Sequence, residues 1–370
     1  MRSEGGGGQR PSIQARALSL GLRMGVRPMV QVWSHTSRLP WPYWTVDQFG
    51  RLNRPPRGTR FRTVRLPQCR SQWIDARPDA GGRRVILYLP GGGFLVGGWH
   101  LHRAFLARLS RRCDAQILAV DYRKLPRNPF KHAAEDALDA YRHLLRQGVA
   151  PEDIVVAGDS AGGFLALQSA DHIRQAGLPR PSAIVAISPL LSLVDFDPHG
   201  PGCAVMTPRA ISVLARFGQV VDDTGPFRLV NADMPPVLIH AAAKETLASQ
   251  VRAYEKLLIR FGVAHEVRLW PLDVHVFHAA HWLPEAGQAL DSIAGSSMRS
   301  RRFRRNRWLL ERFRKHARGL RGYVYTCVRI PPLPSRNRPR PARDLALAVR
   351  RHAPRGLVAR EDGVALTRRQ

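Results

Sequence analysis

The stretch that decides the reading is Ile154-Val-Val-Ala-Gly158-Asp159-Ser160-Ala161-Gly162-Gly163. Four apolar residues run into a Gly-x-Ser-x-Gly pattern, and an alanine- and leucine-rich segment, residues 160–175, follows at once. That order predicts a buried strand turning sharply into a helix. On such a turn a serine hydroxyl projects from a strained backbone. Glycines at 158 and 162 remove side chains that would collide with the neighbouring strand and helix. The start of the helix then directs its positive dipole at negative charge developing beside the serine. The pattern alone is common in glycine-rich turns. The strand before it and the helix after it make Ser160 a candidate nucleophile.

Similar apolar runs lie on both sides. Arg84-Val-Ile-Leu-Tyr-Leu89, Gln116-Ile-Leu-Ala-Val120, Ala183-Ile-Val-Ala-Ile187, Val237-Leu-Ile-His-Ala241 and Glu266-Val-Arg-Leu-Trp270 read as further strands. Near-continuous apolar strands suit a parallel sheet covered on both faces. Helical spacing appears at 131–147 (Ala134, Ala137, Leu138, Tyr141, Leu144, Leu145), at 248–261 and at 275–293. Repeated βαβ units predict an α/β fold with a doubly wound sheet. Residues 60–76 are expected to add one or two antiparallel edge strands. The segment 192–233 is rich in Pro, Gly and Asp and holds one helical piece, Pro208–Gly218. With the N-terminal helices it is expected to form a small cap over the carboxyl ends of the strands, where ligands bind.

The chain has 370 residues, 44% of them hydrophobic, enough for a large core. Its formal charge of +30 is uneven: residues 297–370 hold 22 Lys+Arg against 4 Asp+Glu. The expected organisation is a flexible leader and cap helices at 1–59, an α/β domain at 60–295 and an Arg/Pro-rich, largely disordered tail at 296–370. Cys69, Cys113, Cys203 and Cys327 are scattered without a CxxC or Cys/His cluster. They read as reduced thiols of a cytoplasmic protein, with no metal site. No stretch is long and apolar enough to span a bilayer. Residues 12–33 read as one basic amphipathic helix, expected to pack on the main domain rather than on a membrane.

Three further elements complete the candidate chemistry. Pro90-Gly91-Gly92-Gly93 ends a strand with consecutive glycines, which offer backbone N–H donors with no side chain in the way. Gly91 and Gly92 are the expected oxyanion donors, together with the N–H of Ala161. His275 follows the last strand and is the expected base, taking the Ser160 proton and returning it to the leaving group. His278 and His281 read as packing or exposed residues. The acid should follow the strand at 237–241, where Glu245 stands, with Asp273 in reserve. Asp121 and Arg123 read as a structural ion pair, and Asp159 as a hydrogen-bond partner of the glycine loop or the cap.

Four blocks in order carry a resemblance. Tyr88-Leu-Pro-Gly-Gly-Gly-Phe94, then Asp121-Tyr122-Arg123 with Pro126 and Pro129-Phe130, then Gly158-Asp-Ser-Ala-Gly-Gly163, and finally Pro271 to Phe277 around His275 resemble the hormone-sensitive-lipase-like branch of α/β-hydrolases. The likeness covers residues 60 to 293. Pro90 replaces the family's histidine before the glycines, and Lys124, Leu125 and Arg127 alter the second block. Glu245, followed two residues later by Leu247, matches the family's acid position. The resemblance implies the α/β-hydrolase fold, with a mostly parallel central sheet, helices on both faces and a small cap. It implies a serine carboxylic ester hydrolase for short- to medium-acyl esters or lactones, with no cofactor and a small-molecule ester as its partner. Two other readings remain at this point: a catalytically degenerate binding protein of the same fold, and tail-mediated binding to nucleic acid or anionic membrane. No nucleic-acid module is visible, and the oligomeric state is not legible.

Overall fold

The computed structural model describes residues 10–77, 82–192, 203–218 and 225–297. Eight strands form one sheet: β1 (Arg60–Arg65), β2 (Arg70–Asp75), β3 (Val85–Leu89), β4 (Gln116–Asp121), β5 (Ile154–Asp159), β6 (Ala183–Ile187), β7 (Val237–Ala242) and β8 (His265–Trp270). Their order is β1-β2-β4-β3-β5-β6-β7-β8. β1 and β2 join antiparallel at one edge and the rest run parallel. The helices are α1 (Ile13–Met24), α2 (Val26–Thr36), α3 (Trp44–Phe49), α4 (Trp99–Cys113), α5 (Phe130–Arg146), α6 (Ala161–Gln175), α7 (Pro208–Gly218), α8 (Pro226–Leu229), α9 (Ala248–Arg260) and α10 (Pro284–Ser297).

Every residue of β3, β5, β6 and β7 is buried. Alternate side chains leave the sheet on opposite faces. Leu87, Leu89 and Val156 join α5, α6 and α9 in one core, while Ile86, Tyr88 and Ala157 join α4 and α10 in the other. The chain places β4 on one side of β3, then crosses back to lay β5 on the other. That reversal opens a crevice at the carboxyl ends of β3 and β5. The glycine loop after β3 and the serine turn after β5 therefore meet there.

Two expectations are corrected. The single helix over 12–33 is two, α1 and α2, divided at Gly25. Pro28 has no N–H, and its ring would strike the carbonyl four residues back in a continuous helix, so only the first turn of a new helix holds it. The last helix begins at Pro284, not 275: Val276 sits at φ 51, a short 3-10 turn spans Phe277–Ala279, and Pro284 starts the helix proper. Helix α4 is an addition to the expected elements. The leader glycines Gly5 to Gly8, two parts of the expected cap (193–202 and 219–224) and the tail beyond 297 lie outside the described residues.

Candidate active site

Ser160 has φ 52 and ψ −118, a conformation costly for a side chain other than glycine. Its surroundings hold it there. Its N–H donates to Ile187 O at 2.9 Å, and its carbonyl accepts from Phe164 at 3.1 Å and Leu190 at 3.0 Å. A Cβ on Gly158 would collide with the Gly162 carbonyl, and one on Gly162 with the Leu89 carbonyl. Both glycines are thus demanded by backbone passing at contact distance.

Glu245 and His275 come together. His275 Nδ1 lies 2.5 Å from Glu245 Oε2, with the carboxylate side chain 1% exposed and the imidazole 12%. Glu245 Oε1 accepts the Ala242 N–H at 2.9 Å, which fixes the carboxylate at the end of β7. Burial pulls the His275 pKa down, but the Glu245 charge and hydrogen bond, with the Asp159 charge behind them, outweigh it and hold it above its ordinary value. Lys244 is exposed and makes no ion pair with Glu245 among the described residues. Asp273, the reserve acid, is corrected: it accepts from Ser19 Oγ and Arg23 Nη2, each at 2.7 Å, and faces α1 instead of the imidazole.

The histidine loop is tied to the serine turn through β6. The Val276 N–H donates to Ser188 Oγ at 3.3 Å, and the Ser188 N–H donates to His240 O at 2.6 Å. Ser188 follows Ile187, the residue that receives the Ser160 N–H. Both Ser188 (φ 43) and Val276 (φ 51) are left-handed, so this tie joins two strained residues. No hydrogen bond joins Ser160 Oγ to His275 among the described residues; such bonds are commonly long without substrate and tighten with it.

Beneath the glycine loop Asp159 anchors a buried network. Its Oδ1 accepts from Tyr88 OH at 2.7 Å and from the Gly91 N–H at 3.0 Å, and its Oδ2 faces His102 Nε2 at 3.3 Å. The other ring nitrogen of His102 lies 3.1 Å from the Gly98 carbonyl. Both nitrogens face acceptors, so both carry protons and the ring is an imidazolium. Consistent with that, Asp159 overcomes burial to hold a pKa below the usual carboxylate value, and His102 overcomes burial to hold one above that of a free imidazole. Gly91 as an oxyanion donor is therefore corrected: its N–H is spent on Asp159. The N–H groups of Gly92, Gly93 and Ala161 have no protein acceptor among the described residues. Tyr122 OH donates to the Pro90 carbonyl at 2.6 Å, a second brace for a loop that lacks the family's histidine.

One expected pairing is corrected. Asp121 and Arg123 do not pair with each other: Asp121 takes Lys124, and Arg123 takes Asp136 and Glu135. His278 is buried against His240, with 3.4 Å between ring nitrogens, and Cys69, Cys113 and Cys203 are free thiols. No group of three metal-ligating side chains occurs among the described residues. Sequence reasoning missed Ser188, His102 and Tyr88.

A doubly wound sheet with a strained serine at its switch point, and a buried Glu–His pair on a loop tied to the neighbouring strand, has the architecture of an α/β-hydrolase. The family model described as alpha/beta hydrolase fold matches residues 86–279. The chain is 38% identical over 302 residues to the carboxylesterase/phospholipase LipF of Mycobacterium tuberculosis, covering 76% of this chain and 81% of that one. It is 37% identical over 289 residues to the esterase LipU of the same organism, covering 73% and 97%. The crystal structure of an esterase from the bacterial hormone-sensitive lipase family superposes with a TM-score of 0.67 at 25% identity, covering 79% of this chain and 99% of that one. The chain belongs to the hormone-sensitive-lipase-like branch of the α/β-hydrolase family and is a carboxylesterase- or lipase-like hydrolase.

Proposed function

We propose that the chain hydrolyses short- to medium-acyl carboxylic esters or lactones through Ser160, His275 and Glu245 and a covalent acyl-enzyme. The observation that carries the reading is the 2.5 Å contact between buried Glu245 and His275, on a loop tied through Ser188 to the strand end that receives the N–H of the strained Ser160. His275 takes the Ser160 proton as the hydroxyl oxygen bonds to the ester carbonyl carbon. The carbonyl oxygen becomes an oxyanion held by the N–H groups of Gly92, Gly93 and Ala161 at the start of α6. The imidazolium, stabilised by Glu245, gives its proton to the leaving alkoxide, and water then repeats the sequence on the acyl-enzyme. The similarity to LipF, a carboxylesterase/phospholipase, supports an ester substrate.

A panel of p-nitrophenyl esters from acetyl upward tests this, with a fluorophosphonate as covalent probe. Turnover on the shorter esters and labelling that vanishes in Ser160→Ala are expected. A folded protein that neither labels nor turns over would make the chain a binding protein on the hydrolase fold.

The base requires neutral His275, so kcat/KM is expected to rise with pH through a midpoint above the ordinary imidazole value of about 6.5. In Glu245→Gln the raising charge is gone, so the midpoint moves to lower pH while the plateau falls. A pH–rate profile with the midpoint unmoved removes Glu245 from the assignment.

A further inference from the structure

Helices α1 and α2 are apolar on two faces. On α1 the inner face carries Ala15, Leu18 and Leu22 onto Leu272, Phe277 and Leu283, and Ser19 onto Asp273. The outer face carries Ile13, Ala17, Leu20 and Met24, one stripe at spacings of four, three and four residues. Ile13, Leu20 and Met24 are 75%, 59% and 72% exposed, and on α2 Met29 and Val32 are 65% and 55% exposed. Eleven of the fifteen exposed large hydrophobic residues among those described fall within residues 13–52. Such concentration is unusual for a surface that meets only water.

The same segment is cationic. Residues 10–57 contain eight arginines and no lysine against a single acid, Asp47. Of these arginines only Arg23 has a carboxylate partner among the described residues. A second copy laid on this stripe would bring like charges together. A surface that is apolar inside and anionic outside answers both features, its acyl region taking the stripe and its phosphates the guanidinium groups.

We propose that helices α1 and α2 dock on an anionic lipid bilayer, lying in the interface plane. No helix among the described residues is long and apolar enough to cross a membrane. The inner face of α1 fixes where the site then stands. Ser19 and Arg23 hold Asp273, two residues before His275, and Ser12 bonds Glu285 at the start of α10. Docking therefore brings the histidine loop toward the lipid. The proposal stands apart from the ester-hydrolase reading, because docking needs neither Ser160 nor His275.

The test is co-flotation of the full chain, carrying Ser160→Ala so that lipid stays intact, with vesicles of phosphatidylcholine alone and of phosphatidylcholine with phosphatidylglycerol. Binding at least about tenfold tighter to the mixed vesicles is expected. Leu20→Gln, Met24→Gln, Met29→Gln and Val32→Gln together leave the charge unchanged and are expected to weaken that binding about tenfold or more. The milder pair Leu20→Gln and Met29→Gln should give a smaller loss of the same sign, with unfolding temperature unchanged. Binding untouched by these glutamines would assign the attraction to the basic tail and overturn the proposal. So would equal binding to both vesicle types, or a dimer in sedimentation that the glutamines dissociate without altering flotation.

Discussion

Replacing His275 with alanine is expected to lower ester turnover by a factor on the order of 10⁴ to 10⁶, with KM changed far less. In the proposed mechanism the Ser160 hydroxyl, a poor nucleophile at neutral pH, needs an acceptor for its proton at the moment of attack. No neighbouring imidazole can stand in. His240 is fully buried, its pKa pressed by burial down to about 3, and it is locked against His278 and Ser292. His278 is likewise held neutral by burial and by its neighbour. His102 carries protons on both nitrogens and faces Asp159 and Gly98. What survives in His275→Ala is binding plus the backbone donors, which act without a proton acceptor. Steady-state turnover of p-nitrophenyl acetate, read against Ser160→Ala as the floor, decides it. A variant keeping a tenth of wild-type kcat would mean that another group accepts the proton.

The parallel strands were legible because full burial on both faces writes itself as unbroken apolar runs: β6 is apolar throughout, and β5 is apolar or glycine until its last residue, Asp159. The serine turn was legible for a related reason, since backbones in contact at 158 and 162 admit only glycine there. Helix α4 was less visible. Its buried face, His102, Phe105, Leu106, Leu109 and Cys113, has helical spacing, but Arg103, Arg108, Arg111 and Arg112 fill the turns between and mask it. Local signals also overran real boundaries. Apolar periodicity ran through Gly25 and through residues 275–283, where Pro28 and Pro284 were the better guides. In the candidate site, Ser160, Glu245 and His275 could be named as candidates because chain order and residue type constrain them. The role of Gly91 could not. Which glycine N–H is free depends on where the Asp159 carboxylate points, and that is set by Tyr88 and His102, residues 71 and 57 positions away in sequence.

That dependence gives Asp159 the second large expected effect. Its carboxylate is buried, holds the loop through Gly91, and neutralises an imidazolium that has no other carboxylate partner among the described residues. Asp159→Leu strands the Tyr88 hydroxyl, the Gly91 N–H and the His102 ring at once. Breaking a buried ion pair from one side costs about 3–5 kcal/mol of stability. The glycine loop also loses its anchor, so kcat is expected to fall on the order of 10²- to 10³-fold, the usual cost of a misplaced oxyanion donor. Asp159→Asn separates positioning from charge. The amide oxygen still accepts from Tyr88 and Gly91, and the amide N–H can donate to Nε2 of a neutral His102, whose Nδ1–H keeps Gly98. Every polar group stays paired, so kcat is expected within about tenfold of wild type and the stability loss to be the smaller of the two. The pH behaviour carries a sign. The wild-type pair contributes fully above the unfolded carboxylate pKa and below the unfolded imidazole pKa. It is lost as pH falls through the depressed Asp159 value or rises through the raised His102 value. In Asp159→Asn the unfolding free energy, measured in urea across that range, should lose the carboxylate dependence and invert the imidazole one: a His102 held neutral in the fold makes stability fall as pH drops below the unfolded imidazole value. If Asp159→Leu turned over ester as fast as Asp159→Asn, the carboxylate would not be what holds the glycine loop in place.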